Sequence, residues 1–398
     1  MISLNDAVLV MLEAIPYDGL MQRHQHLARE LARFLPVIYC EATPSRIRRL
    51  LDGHPFDPAL ETYRRGPVDV GGNVRLFKAP PCVPRWAGYR RSIEGTSRRT
   101  AASLKPFLPL GRPVILWLFS PSALGSLGLY DEVLSVFDCF DAFGEFPGEE
   151  RYREDVLAAM EEAARRSDLV LATSHELQAR LSQYNPHTMM VQNGCDADHF
   201  ISGGHDPGTE ERVLDIDSIR RPIVGYMGDV APWVDVHPLY VAAERHPEWS
   251  VVILGTWKRG RHKLHALPNV YAPGSVPYNE LPFYARRFDV GTIPFELTDL
   301  TRVVNPLKLY EYFALGMPVV ATDLPEVARH RDLVYIARTS DEFVALLEVG
   351  LREKPDSTMR SRRVELAKQN SWAYRAETIR AHIEELLRTR EPSVRAEV

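Results

Sequence analysis

The sequence predicts an α/β fold built from two doubly wound, mainly parallel sheets. Three observations predict it. The length of 398 residues exceeds one typical core and suits two domains of about 150–200 residues each. Short, fully apolar runs such as AVLVML, VILWLFS and SVVILGT read as buried strands. Amphipathic helical segments alternate with these runs in both halves of the chain, the pattern of a parallel sheet wrapped by helices.

The elements follow in order. AVLVML is the first strand, and the loop EAIPYDG leads to a helix, LMQRHQHLARELARFL, with Leu20, Leu27, Leu31 and Phe34 at helical spacing. PVIYCE and VILWLFS are strands, and LSVFDCFDAFGEF reads as a strand ending in acidic residues. The helix RYREDVLAAMEEAARRSD, the strand LVLATS, the helix SHELQARLSQY and the strand MMVQN complete the first half. In the second half, PIVGYMG, SVVILGTW, VGTIPF and PVVATD are strands, and VDVHPLYVAAERHP, ELPFYARRFD and LKLYEYFALG are helices. The Gly- and charge-rich stretch 201–221 between them sets the expected boundaries at 1–204, 205–370 and a final amphipathic helix with its tail at 371–398.

Composition excludes several classes. A net charge of −5 argues against general nucleic-acid binding. Cys40, Cys82, Cys139 and Cys195 form no CxxC and read as reduced, cytosolic thiols, with no zinc site. No run approaches the ~18 apolar residues of a membrane span, and the N-terminus lacks a signal peptide's basic start. The pairs Asp196/Asp198 and Asp215/Asp217 end no strand at a plausible ligand site, so no metal is expected. One segment departs from the acidic average. Residues 85–112 carry Arg85, Arg90, Arg91, Arg98, Arg99, Lys105 and Arg112 against Glu94, with Trp86, Tyr89, Leu104, Phe107 and Leu108 interleaved. Arg90, Arg91, Arg98 and Arg99 form a candidate surface for anionic lipid headgroups or a polyprenyl-phosphate acceptor; a solvated basic helix is the competing reading.

Ligands of doubly wound sheets bind beyond the carboxyl ends of the strands, and with two such domains the cleft between them is the expected site. The glycines of Gly225-Tyr-Met-Gly228 would permit close approach, although a tight turn explains them equally. GxGxxG and GxxxxGK[ST] are absent. The basic loop at Lys258, Arg259 and Arg261 suits a phosphate or a surface turn. Asn305 and Pro306 open the helix NPLKLYEYFALG, whose N-terminal dipole favours an anion. Lys308 and Glu311 share one face; a surface salt bridge is the competing reading. On the other half, Asp138, Asp141 and Asp18 follow strands and are candidate proton acceptors, or else helix caps and turns. His24 reads as an ordinary, partly buried residue.

The run IPFELTDLTRVVNPLKLYEYFALGMPVVATDLPEV (293–327) resembles the donor domain of GT-B glycosyltransferases of family 4 (group 1). VQNGCDADHF (191–200), NVYAPGSVPYNELPFYARRFDVGTIPF (269–295), SWAYRA (371–376) and FDCFDAFGEF (137–146) are similar to further family stretches. The resemblance implies two Rossmann-like domains facing across a cleft (GT-B), with the C-terminal helix crossing back to the first domain. The first would bind the acceptor and the second the donor. It implies transfer of a sugar from a nucleotide diphosphate sugar (UDP- or GDP-sugar) to a saccharide or lipid-linked acceptor, with no cofactor and no metal, in bacterial surface polysaccharide or glycolipid synthesis. It places the protein in the cytoplasm, with the inner face of the plasma membrane as a peripheral contact. Lys308 would meet the diphosphate and Glu311 the ribose, with Gly228, Lys258 and Asn305 around them. The family's first Glu falls at Val303, and the Arg/Lys pair expected after the second domain's first strand is missing; Lys258, Arg259 or Arg302 would replace that charge. The alternatives are a GT-B sugar-nucleotide 2-epimerase and a degenerate transferase acting as a binding protein.

Overall fold

A computed structural model describes residues 3–44, 64–85, 88–208, 212–258, 262–354 and 357–389. It divides into two units, residues 1–192 with 373–398, and residues 193–372.

The first unit is an eight-stranded sheet made of β1 Val8–Ala14, β2 Val37–Glu41, β3 Val68–Gly71, β4 Val74–Lys78, β5 Val114–Leu118, β6 Leu134–Cys139, β7 Leu169–Ala172 and β8 Thr188–Met190. Their order is β3-β4-β2-β1-β5-β6-β7-β8. All neighbours run parallel except β3, which pairs antiparallel with β4. The apolar runs read as strands are therefore central, and β2, β5, β6 and β7 are buried along their whole length. The β3–β4 hairpin was not anticipated. Its turn, Gly71-Gly72-Asn73, holds three successive residues at positive φ, which Gly and Asn tolerate best.

Two expectations change here. The strand expected to run through residue 146 ends at Cys139, so Asp138 lies within β6 and only Asp141 follows it. The first helix spans Arg23–Leu31, and Leu20 is 47% exposed, outside the core. That helix instead turns polar side chains inward. Arg23 is buried and its guanidinium meets Asp138, with Nε to carboxylate distances of 3.0 and 2.9 Å. Arg23 Nη1 also donates to the Val191 carbonyl. A buried charge is tolerated only when paired and hydrogen-bonded in this way.

The second unit is a six-stranded, all-parallel sheet made of β9 Ile223–Met227, β10 Ser250–Leu254, β11 Val270–Gly274, β12 Val290–Ile293, β13 Val319–Thr322 and β14 Tyr335–Ala337. The order β11-β10-β9-β12-β13-β14 reverses between β9 and β12. That reversal is a topological switch point, where the connections depart to opposite sides and leave a crevice. The first unit has the same reversal between β1 and β5. The expected boundary at 204/205 moves to 192/193, because Ala197 and Phe200 of the helix Ala197–Ser202 pack into the second core. The final helix, Trp372–Thr389, opens on the last residue of the second unit and continues in the first.

Two glycines bring rings against this sheet. A Cβ on Gly225 in β9 would lie 1.8 Å from the Phe288 ring, and one on Gly291 in β12 would lie 2.8 Å from the Tyr312 ring. We expect Gly225→Ala to lower unfolding stability by at least about 1–3 kcal/mol, and Phe288→Leu to restore part of the loss in the double variant, both read from denaturant midpoints. Asp138→Ala, which strands the buried Arg23 charge, should cost about 3–5 kcal/mol by the same measurement; an unchanged midpoint would return Asp138 to the list of catalytic candidates.

Candidate functional site

The helix Leu307–Ala314 begins one residue after Pro306, which serves as its N-cap. Its buried side is set by Leu309, Tyr310, Tyr312 and Phe313. Tyr312 fixes its position. The Met227 N–H donates to the Tyr312 hydroxyl at 3.0 Å, and that hydroxyl lies 3.3 Å from the Thr292 carbonyl. The helix is thus held at the carboxyl ends of β9 and β12, the switch point of the second sheet.

Lys308 lands at that point. Its Nζ lies 4.6 Å from the ring centroids of both Tyr226, in β9, and Phe295, just after β12. It donates to the Tyr226 hydroxyl at 3.2 Å. Aromatic faces attract an ammonium without neutralising it. Among the described residues no carboxylate lies within ion-pair distance of Lys308, so the expected alternative of a surface salt bridge with Glu311 is not what forms. Burial pushes the Lys308 ammonium down to about 8, against the pull of Glu311 and Asp229. Glu311 is 8% exposed, and burial pushes its carboxyl up to about 7, opposed by Lys308. Among the described residues none donates a hydrogen bond to the Glu311 carboxylate. The helix therefore presents a cation and a carboxylate that lack full partners, an arrangement that structural ion pairs avoid and ligand sites use.

Gly228 follows β9 at φ +118°, and a Cβ there would lie 3.2 Å from Lys308 Nζ. The backbone conformation requires glycine, and a side chain there would also crowd the ammonium beside it. Lys258 does not join the pair. Its Nζ is held 2.6 Å from Asp229, whose other oxygen accepts from the Thr256 N–H at 3.1 Å. Arg259 and Arg261 lie outside the described residues. Arg302 is exposed and weakly paired with Asp299, and Val303 is buried.

Asn305 has a different task from the one expected. Its side-chain oxygen accepts from the Asn193 N–H at 3.0 Å, its carbonyl accepts from the Asn193 amide at 2.7 Å, and its own amide donates to the Tyr310 hydroxyl. Both polar atoms of its side chain are engaged and it is 1% exposed, so it ties the start of the unit to the helix. Gly194 follows, packed so closely that a Cβ would lie 2.5 Å from the Asn370 carbonyl oxygen.

In the first unit, Asp138 is 0% exposed and paired with Arg23; burial pushes its carboxyl up and Arg23 opposes this, the environment of a structural ion pair. His24 beside it is buried between Phe119 and Phe140, with centroids 4.2 and 4.8 Å away, and burial with the neighbouring Arg23 pushes it down to about 3. Asp141, half-buried beyond β6, accepts from the Ala142 N–H, and burial pushes it up to about 7. Asp18 lies exposed in the turn after β1. On the basic segment, Arg90 is taken up by Glu162 through two hydrogen bonds of 2.8 and 3.1 Å. Arg91, Arg98 and Arg99 are exposed on the helix Tyr89–Leu104, with no carboxylate partner among the described residues. Trp86 lies outside the described residues. Asp196 caps the helix Ala197–Ser202 by accepting from the His199 N–H, and Asp217 pairs with Arg287 and Arg212.

Sequence reasoning passed over Tyr226 and Phe295. The aromatic pair is far apart in sequence and meets only where β9 and β12 end.

Known proteins resemble this chain in sequence and in fold. Residues 221–350 match the family model described as Glycosyl transferases group 1. The chain is 26% identical over 289 residues, 68% of its own length and 71% of the relative's, to TuaH of Bacillus subtilis (strain 168), which carries the name of a teichuronic acid biosynthesis glycosyltransferase. An E. coli trehalose-6-phosphate structure bound with UDP-2-fluoro glucose superposes with a TM-score of 0.68 at 12% identity, covering 96% of this chain and 99% of that one. Anabaena Alr3699/HepE in complex with UDP and glucose superposes at 0.62 with 16% identity and the same coverage. A UDP-forming alpha,alpha-trehalose-phosphate synthase from Burkholderia xenovorans, in complex with glucose-6-phosphate, reaches 0.69 at 11% identity, again over 96% and 99%. With the two reversed, mainly parallel sheets, these findings identify a GT-B-fold glycosyltransferase whose residues 221–350 match the group 1 glycosyl transferases.

Proposed function

We propose that the second unit binds a nucleotide diphosphate sugar and that the enzyme moves its sugar to a saccharide or lipid-linked acceptor of a bacterial surface polysaccharide or glycolipid. The observation that carries this reading is Lys308 at the β9/β12 switch point, flanked by Tyr226 and Phe295 and free of any carboxylate partner among the described residues. Its ammonium suits the diphosphate, and the N-terminus of Leu307–Ala314 adds its dipole. Glu311 suits two ribose hydroxyls, which would supply the donors that the described residues do not. Gly228 lets the ligand backbone come close. As the glycosidic bond breaks, negative charge grows on the leaving diphosphate, and Lys308 stabilises it without a metal. Asp141, held near 7, is the first-unit carboxylate whose pKa suits taking a proton from the acceptor hydroxyl. The UDP of the solved neighbours and the teichuronic acid name of the B. subtilis relative support the donor class and the setting.

The exposed Arg91, Arg98 and Arg99 support peripheral contact with an anionic membrane, where a lipid-linked acceptor would reside. Among the described residues no helix is long and apolar enough to cross a membrane. Arg90 contributes less than expected, since Glu162 compensates it.

Thermal shift with a panel of UDP- and GDP-sugars tests the donor site. At least one nucleotide should raise the melting temperature of the wild type, and Lys308→Ala or Glu311→Ala should abolish that rise; two variants that respond like the wild type would remove the site. Both groups must be charged to bind, so nucleotide affinity should fall below about pH 7 as Glu311 takes a proton and above about pH 8 as Lys308 loses one. Stability carries the opposite sign. Lys308 sits below its unfolded value, so its contribution opposes folding fully below about pH 8 and is relieved only as the pH rises from about 8 toward the ordinary lysine value of 10.5; Glu311 sits above its unfolded value and opposes folding increasingly as the pH rises from 4.5 toward about 7. Lys308→Met should therefore raise the melting temperature of the nucleotide-free protein by about 2–4 °C at neutral pH while removing the nucleotide response.

For the membrane contact, the protein should co-sediment with phosphatidylglycerol vesicles at low salt. Added salt, or the combined change Arg91→Glu, Arg98→Glu and Arg99→Glu, should release it. Absence of binding at low salt removes the membrane contact from the proposal.

A further inference from the structure

The chain enters the second unit at Asn193 and leaves it at Trp372, so two short segments are the covalent ties between the units. These segments lie side by side. The Cys195 N–H donates to the Asn370 carbonyl at 3.1 Å, and the Trp372 N–H donates to the Cys195 carbonyl at 3.2 Å. Cys195 and Ser371 thus form an isolated parallel bridge. Cys195 and Trp372 are buried, and bare Gly194 lets the Asn370 carbonyl approach. Entry and exit are therefore one paired crossover, not two independent tethers.

Two routes tie this crossover to the helix that carries Lys308 and Glu311. The first runs through Asn193. Its N–H and side-chain amide donate to the side-chain and backbone oxygens of Asn305, whose own amide donates to the Tyr310 hydroxyl on the helix. The second runs through the helix Thr358–Gln369. That helix ends at the crossover, where the Asn370 N–H donates to the Leu366 and Ala367 carbonyls and Cys195 Sγ donates to Ala367 at 3.7 Å. Near its start it meets the far end of the Lys308 helix, where a Cβ on Gly316 would lie 2.6 Å from the Arg360 side chain. The contacts close a ring. The Lys308 helix cannot shift along its axis without moving a crossover segment or breaking a member of that ring.

The chemistry of the first route matters. Asn193 and Asn305 are buried, and burying amides is costly unless they are hydrogen-bonded. Apolar side chains would fill the same space without that cost, but apolar contact tolerates small slides. A fully hydrogen-bonded amide pair fixes one geometry.

We propose that Asn193 and Asn305 are positioning residues that couple nucleotide binding at Lys308 and Glu311 to the pairing of the crossover. The proposal rests on the donor reading above and adds a regulation of that site. A bound nucleotide holds the crossover paired, and an unpaired crossover weakens the nucleotide. The two statements are one, because a coupling free energy is reciprocal. Both amides act through the helix and touch no substrate.

Hydrogen exchange of the full chain, read by mass spectrometry, tests it with UDP and with GDP at about 100 times the Kd of each. The Cys195 and Trp372 amides report the crossover, and the amides of β14, at the far edge of the sheet, are the reference. In the wild type, UDP or GDP should slow the crossover amides about tenfold more than those of β14. Asn193→Ala removes one hydrogen bond of the clamp and leaves Lys308 and Glu311 in place. It should keep the nucleotide-induced rise in melting temperature and lose the extra protection. Asn305→Ala should lose that protection too. A merely structural role would speed exchange with and without nucleotide alike, so persistence of the extra protection in Asn193→Ala overturns the proposal. Equal slowing of the crossover and β14 in the wild type also overturns it. So does loss of the nucleotide-induced rise in Asn193→Ala, which would make Asn193 part of the binding site. The wild-type thermal shift separates the two failures. A rise without extra protection overturns only the coupling, whereas no rise with either nucleotide overturns the donor reading as well.

Discussion

The contact between the Tyr312 ring and the bare backbone of Gly291 sets the position of everything in the candidate site of the second unit. The ring packs where any Cβ would stand, and its hydroxyl reaches the ends of β9 and β12 together. Four residues earlier on the same helix, one turn back, Lys308 then has no choice of location: it arrives over Tyr226 and Phe295 at the point where the sheet reverses. Asn305 fixes the approach to that helix from the other end by binding the Asn193 backbone. The amphipathic helix is thus aligned by packing on one side and by hydrogen bonds at its start. Its charged residues are carried passively to the crevice.

Both units keep groups there that the fold alone would not choose. Lys308 and Glu311 are ionisable, largely desolvated and poorly partnered, and each is displaced from its ordinary pKa in the direction that opposes its charge. Glu13 holds a left-handed backbone conformation at the equivalent reversal of the first sheet. Contrast Arg23 with Asp138 and Arg363 with Glu353, buried charges that satisfy each other through several hydrogen bonds. The satisfied pairs hold elements together. The incompletely partnered ones are the candidates that the proposed donor site uses.

The sequence by itself determined the architecture. Apolar runs too short for helices and too continuous for half-exposed strands can be buried only inside a parallel sheet, and their alternation with amphipathic helices leaves few topologies. It also placed Lys308 and Glu311 on one helix turn, because helical spacing is a local property. Tertiary structure decided the rest. Whether Lys308 pairs with Glu311 or waits for an anion depends on two aromatic rings from distant strands. Whether Lys258 is free depends on Asp229, and whether Asp138 can take a proton depends on Arg23, 115 residues away along the chain. The strained bulge at Glu13 arises because its neighbours are anchored to β2 and to the loop after β5, contacts that no local pattern encodes. Local periodicity fixes which face of an element is apolar; only the assembled sheet fixes which polar groups are left without a partner, and those are the groups available for chemistry.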